Sequence, residues 1–263
     1  RPGNGHPFGM GRSTKELMST VGSLLPLLKE RRPLVHCITN PVTMNFVASA
    51  LTALSVRAIM ANSTNEVEEV AENAGALLIN TGVPQSIALY RSAAMKAKQW
   101  VLDPVGAGGT RFRREIASEL LSLKPSIIRG NAGEILALGG EAGVVKGVDS
   151  LATTEEAAGV AKLLAEEYKT VVAMTGATDY VVSSDRVVRL TGGDPMMAMI
   201  PGTGCVAGAV CAAFLAVTED PFDAAVAGLH LMSGAADHAA KSATGPGSFQ
   251  VAMVDALYHA TSQ

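Results

Sequence analysis

The sequence predicts an α/β fold, a three-layer α/β/α sandwich around a mostly parallel central sheet with no separate lid domain. Three observations carry that expectation. Short β-branched or apolar runs alternate with longer helical patterns, the rhythm of βαβ units. Several of those runs are apolar without alternation, as strands covered by helices on both faces should be. Polar and glycine residues gather directly after the runs, where open parallel sheets bind ligands.

Taken in order, a first helix is expected from about Ser13 to Arg31, with Ser13 as N-cap, Glu16 completing a capping box and Arg31-Arg32-Pro33 ending it. Strands follow at Leu34–Ile38, Arg57–Met60, Ala76–Asn80, Trp100–Asp103 and Ile127–Arg129, with helices between them. After Ala152 a helix runs to about Tyr168, then a strand at Thr170–Met174. Tyr180–Val182 and Val187–Leu190, separated by Ser183-Ser184-Asp185, read as a β-hairpin. From Gly204 onward the pattern is almost wholly helical, broken near Asp220-Pro221 and Gly245-Pro246-Gly247. Residues Arg1 to Gly11 carry no hydrophobic period and read as a disordered extension or a remnant foreign to the fold, which leaves residues 12–263 as one domain.

Composition narrows the function classes. Lys and Arg total 21 against 24 Asp and Glu, and no basic cluster interleaved with aromatics occurs, so nucleic acid is not an expected partner. No apolar run approaches the roughly 20 residues of a membrane span, and the first residues lack a signal-peptide pattern, so a soluble, cytoplasmic protein is expected. Cys37, Cys205 and Cys211 are too few and too irregular for a disulfide framework or a Cys-x-x-Cys metal site.

The candidate chemistry lies at the strand ends. Thr39-Asn40-Pro41, Thr81-Gly82, Asp103-Pro104-Val105-Gly106, Arg129-Gly130-Asn131 and Thr175-Gly176 would converge on one rim, although Thr, Asn, Asp and Gly are also ordinary turn residues. Asp103 is placed to hold a cation or phosphate-bound water. Asn131-Ala132-Gly133-Glu134 supplies a second carboxylate at a helix start, where Asn131 and Glu134 could equally form a plain capping box. Pro201-Gly202-Thr203-Gly204-Cys205 opens into a small-residue helix whose unpaired N–H groups suit a phosphoryl group, and that field would lower the pKa of the Cys205 thiol. Gly202-x-Gly204-x-x-Ala207 also imitates a dinucleotide fingerprint, but not after the first strand of a βαβ unit. P-loop, zinc-protease and nucleophile-elbow motifs do not occur, and His36 reads as a hydrogen-bonded core residue.

The Asn131-x-x-Glu134 motif with the late Gly-x-Gly helix start resembles the ribokinase superfamily, which phosphorylates alcohols of small molecules with ATP and magnesium. The closer resemblance is to the hydroxyethylthiazole kinase family of thiamine salvage. It rests on His36-Cys37-Ile38-Thr39-Asn40, Asp103-Pro104-Val105-Gly106-Ala107-Gly108, Arg129-Gly130-Asn131-Ala132, Gly202-Thr203-Gly204-Cys205 and Gly245-Pro246-Gly247-Ser248-Phe249, in that order. The resemblance implies a ribokinase-like fold. It also implies a thiazole-alcohol site lined by Asn40, Met60, Gly82, Gly202 and Cys205, with Gly202, Gly204 and Cys205 as the catalytic group. ATP would be bound by Arg129, Asn131, Thr175 and Gly176, and Mg2+ organised by Asp103 and Glu134, partly through water. A homotrimer with substrate sites near subunit interfaces is implied as well. Met60 rests on the resemblance alone, since a methionine ending a strand is more often core. Cysteine at position 205, where most of the superfamily carries aspartate, separates this family from relatives such as hydroxymethylpyrimidine kinases. Another ribokinase-like small-alcohol kinase, such as one acting on hydroxymethylpyrimidine, is the first alternative and a dinucleotide-dependent oxidoreductase the second.

Overall fold

A computed structural model of the chain describes residues 14–143 and 154–262. The expected extension (Arg1 to Gly11), the Ser13 cap and the residues around Ala152 lie outside the described residues. The elements run α1 (Thr14–Arg31), β1 (Leu34–Ile38), α2 (Met44–Ala53), β2 (Arg57–Ile59), α3 (Val67–Asn73), β3 (Ala76–Asn80), α4 (Ile87–Lys96), β4 (Trp100–Asp103) and α5 (Arg111–Ser122). They continue with β5 (Ile127–Asn131), α6 (Ala132–Glu141), α7 (Thr154–Tyr168), β6 (Val171–Thr175), β7 (Asp179–Val182) and β8 (Val187–Leu190). The helices α8 (Thr203–Leu215), α9 (Pro221–Ala240) and α10 (Pro246–Ser262) close the chain.

The eight strands form one sheet in the order β2-β1-β3-β4-β5-β6-β7-β8. The first six are mutually parallel, and β7 and β8 add the expected antiparallel hairpin. Alternate side chains feed two cores. Val35, Leu78 and Val101 face the layer of α1, α2, α8, α9 and α10, while Leu77, Ile79 and Leu102 face α3 to α7. This is the three-layer sandwich the apolar runs predict, because the central strands β1, β3, β4, β5 and β6 are covered on both faces.

Local chemistry starts the helices. The hydroxyls of Ser86 and Thr110 accept the N–H groups of Leu89 and Arg113 at the starts of α4 and α5. Asp220 caps α9, whose first residue is Pro221. Helix α8 is different: Cys205 to Leu215 are all buried, so it is apolar on every side and lies against β1, β3 and β4 on one flank and α9 on another. Its close approach to α9 depends on Gly228, where a Cβ would sit 2.7 Å from Cys211 Sγ.

The structure departs from the sequence pattern in small ways. Strand β5 continues to Asn131, two residues beyond its expected end, because Gly130 and Asn131 still pair with β6. A 3-10 turn at Pro195–Met199, capped by Asp194, was not legible in the apolar segment Pro-Met-Met-Ala-Met.

Candidate active site

Six parallel strands place their carboxyl ends on one rim, and the strand order turns back at β1, which has β2 on one side and β3 on the other. Such a point is where a doubly wound sheet opens a crevice. Asn40, two residues past β1, and Asn80 and Asp103, which end β3 and β4, form a buried chain there. Asn80 Nδ2 donates to Asp103 Oδ2 at 2.6 Å, and Asn80 Oδ1 accepts from Asn40 Nδ2 at 2.9 Å and from the Gly82 N–H at 3.0 Å. Asn40 Nδ2 in turn lies 3.7 Å from Cys205 Sγ. The structure thus brings Asn40, Gly82, Cys205 and Asp103 together through Asn80, which sequence reasoning treated only as a strand end. Its signal was an amide closing the otherwise apolar run Ala-Leu-Leu-Ile.

The start of α8 completes the group. Gly202 has φ +101°, and a Cβ there would meet Thr43 Cγ2 at 2.7 Å, so both backbone and space require glycine. At Gly204 a Cβ would be 2.6 Å from Arg129 Nη1, so the guanidinium lies directly against the helix start. Arg129 Nη2 donates to Thr175 Oγ1 at 2.7 Å, Nη1 lies 3.4 Å from Asp103 Oδ1, and Nε is buried without a protein partner. Burial pushes the Asp103 carboxyl up to about 6, an effect opposed by Arg129 and reinforced by Glu134.

One expectation is corrected here. The helix-end field was expected to bring the Cys205 thiol toward ionisation, but its pKa is raised, first by burial and then by the Asp103 carboxylate beside it. The thiol is neutral at pH 7. The field of a helix end is modest beside the loss of hydration.

A cavity of about 620 Å3 opens on the other side of the α8 start, and Arg129, Asn131, Thr175 and Gly176 all line it, as do Thr203 and Gly204. Asp103 and Glu134 are not in its wall. Glu134 completes the capping box of α6: Oε2 accepts the Asn131 N–H at 2.9 Å, Asn131 Oδ1 accepts the Glu134 N–H at 2.9 Å, and Glu134 Oε1 accepts the Gly106 N–H at 3.0 Å. Among the described residues no three His, Cys, Asp or Glu side chains converge as a metal cage. Glu134 adds to the burial that raises the Asp103 pKa, and two such carboxylates would suit an ion that keeps most of its water, as Mg2+ does. Met60, just past β2, packs against the apolar core that includes Phe46, Ile200 and Cys205.

The remaining expectations resolve simply. His36 is buried, and since a carbonyl can only accept, its Nε2–H donates to Ala61 O at 2.7 Å, leaving Nδ1 bare; burial lowers its pKa. The Gly202 fingerprint follows a 3-10 turn and not a strand, so it lacks the context of a dinucleotide site. A groove of about 670 Å3 between α4, α5 and α6 is walled by ion pairs such as Arg91–Glu119 and lies outside this constellation.

A doubly wound sheet with a buried carboxylate at a strand end and a glycine-built helix start at its crevice is the architecture of the ribokinase-like fold. A ribokinase-like superfamily protein from Enterococcus faecalis shares the fold, with a TM-score of 0.65 at 12% identity over 92% of this chain and 95% of that one. The chain belongs to the hydroxyethylthiazole kinase family, whose profile matches residues 25–263. It is 47% identical over 241 residues to a hydroxyethylthiazole kinase of Granulibacter bethesdensis, covering 89% of this chain and 88% of the relative. A relative of the same name from Cereibacter sphaeroides is 44% identical over 247 residues, covering 92% and 94%. The solved structure of a hydroxyethylthiazole kinase protein from Pyrococcus horikoshii superposes with a TM-score of 0.83 at 40% identity over 94% of each chain.

Proposed function

We propose that the chain transfers the γ-phosphoryl group of ATP to the primary hydroxyl of 4-methyl-5-(2-hydroxyethyl)thiazole, giving the phosphate ester and ADP in thiamine salvage. The carrying observation is the meeting of Cys205, Asn40 and Asp103 on one side of the α8 start with the Arg129-lined cavity on the other. A phosphoryl group at that helix start stands between an alcohol side and a nucleotide side.

On the alcohol side we assign Asn40, Met60, Gly82, Gly202 and Cys205. Asn40 is oriented by Asn80, which leaves its amide directed toward the Cys205 thiol. On the nucleotide side Arg129, Asn131, Thr175 and Gly176 hold the phosphates; Arg129 keeps its charge because Asp103 and Glu134 outweigh the cost of burial. The backbone N–H groups from Gly202 to Cys205 face the migrating group with the positive end of α8. Mg2+ would be held by Asp103 and Glu134, partly through water, and would supply charge neutralisation at the phosphates. Phosphoryl transfer passes through a loose transition state, so the hydroxyl needs placing more than early deprotonation. A neutral Cys205 meets that demand: it orients the hydroxyl by hydrogen bonding, and the hydroxyl proton leaves to an oxygen of the transferred phosphoryl group.

Three exposed apolar side chains flank the alcohol side, Val42 at 72%, Val83 at 43% and Met199 at 67%. They support a homotrimer in which a neighbouring copy covers these segments, a state that light scattering coupled to size exclusion measures directly. Among the described residues no helix is long and apolar enough to cross a membrane, in keeping with work in the cytoplasm on diffusible substrates.

The deciding experiment is coupled ADP release with ATP and Mg2+, with and without the thiazole alcohol, and with hydroxymethylpyrimidine as the competing alcohol. Alcohol-dependent ADP release selective for the thiazole is expected. Equal rates with and without it, or preference for the pyrimidine, would overturn the assignment.

A further inference from the structure

A single guanidinium ties together two of the loops that form the rim. Arg113, from the first turn of α5, donates from Nη1 to Thr81 O at 2.7 Å and to Val105 O at 2.6 Å, and from Nη2 to Gly82 O at 2.9 Å. Its own N–H is held by the N-cap hydroxyl of Thr110 at 3.2 Å, so the fork is aimed from a fixed helix start. Among the described residues no carboxylate pairs with it. Its charge is met instead by three carbonyl dipoles, an arrangement that a planar fork satisfies and a point-like ammonium does not.

The two loops do different work. One carries Gly82, whose N–H is bonded to Asn80 and whose absent side chain leaves room for Asn40, since a Cβ there would be 2.5 Å from Asn40 Nδ2. The other carries Gly106, at φ +68°, whose N–H donates to Glu134 Oε1 at 3.0 Å. Arg113 therefore joins the alcohol side of the rim to the carboxylate at the start of α6 by way of two adjacent strand ends.

We propose that Arg113 is a positioning residue for the reaction: it fixes the Gly82 loop against the Gly106 loop, and so sets the alcohol relative to the phosphates without touching either substrate. The proposal rests on the kinase reading given above. A misplacement of about 1 Å between reacting groups costs on the order of 10²-fold in rate, so holding two loops in register is a catalytic matter as well as a structural one.

The test compares Arg113→Ala and Arg113→Lys with the wild type for kcat, for KM of the thiazole alcohol and of ATP, for melting temperature, and for amide exchange at Gly82 and Gly106. The expected result is that both variants raise the KM of the alcohol and lower kcat, with kcat/KM for the alcohol down by about 10- to 100-fold and a smaller change in the KM of ATP. Exchange at Gly82 and Gly106 should accelerate in both. Millimolar guanidinium should restore activity to Arg113→Ala, whereas an ammonium salt should not. Wild-type kinetics and exchange in Arg113→Lys would overturn the proposal even if Arg113→Ala failed to fold, and so would losses that follow melting temperature alone without guanidinium rescue. A wild type that binds ATP but does not phosphorylate the alcohol would overturn the kinase reading instead, and the exchange data would still report on the loops.

Discussion

At the scale of single residues, Cys205 and His36 show burial deciding chemistry. Cys205 stands in the first turn of α8, beside Asn40 and Asp103, with its thiol kept neutral by burial. Replacing it by alanine should lower kcat by about 10²-fold, the order expected when a reacting hydroxyl is misplaced by about 1 Å, while the alcohol still binds. Turnover within a few-fold of wild type would remove the thiol from the chemistry. His36 gives a stability prediction with a definite sign. Its folded pKa is lowered, chiefly by burial, so as pH falls below about 6.5 the unfolded chain takes up a proton that the folded chain refuses, and stability is lost. Asp103 acts in the opposite sense, because its pKa of about 6 lies above the ordinary carboxylate value and folding gains as pH falls through about 6 toward that value. The clean measurement is therefore the difference between wild type and His36→Gln in urea midpoints at pH 7.5 and 5.5. The wild type should lose more stability on acidification than the variant, and equal losses would contradict the assignment. Neither pKa could be read from the sequence, since a helix start is visible in Gly-Thr-Gly-Cys but the layers that dehydrate it come from chain segments far away.

At the scale of elements, the turn into α8 joins fold and activity. Gly204→Ala would favour the helix by up to about 1 kcal/mol on propensity alone. Its Cβ would also displace the Arg129 guanidinium, which is held between Asp103 and Thr175. Melting temperature should therefore stay close to wild type while the KM for ATP rises by about tenfold or more, the order expected for losing charge-assisted contacts to phosphate. An unchanged KM for ATP would mean that Arg129 does not serve the nucleotide. Most elements were legible because short apolar runs and breaks in the helical pattern are local signals: Asp220-Pro221 interrupts the pattern in the sequence and starts α9 in the structure. The 3-10 turn was hidden, since methionines and an alanine carry no period that separates a turn from a core segment. Asn131 and Glu134 show the limit of a motif, because the capping box and the candidate magnesium site draw on the same two side chains.

At the scale of the whole molecule, the strand ends were visible in the sequence but their adjacency was not. Pairing β1 with β3 and β2 is a long-range event, and only that order lets Asn80 bridge Asn40 and Asp103. Helix α8 covers the centre of this sheet, lying against β1, β3 and β4. A chain ended at residue 200 should lose the site and also leave Val35, Leu78 and Val101 bare, and it should sediment as aggregate on expression while the full chain stays in the supernatant. A soluble, monomeric fragment would show that the sheet can stand with one layer missing. The position of α8 near the end of the chain also sets a clock. At the usual pace of about 5–20 residues per second, roughly 165 residues of synthesis and some ten to thirty seconds separate the emergence of β1 from that of its cover. During that interval the nascent sheet has apolar surface to hide, and a chaperone that shields it until α8 arrives would guard the kinase from its own neighbours on the polysome.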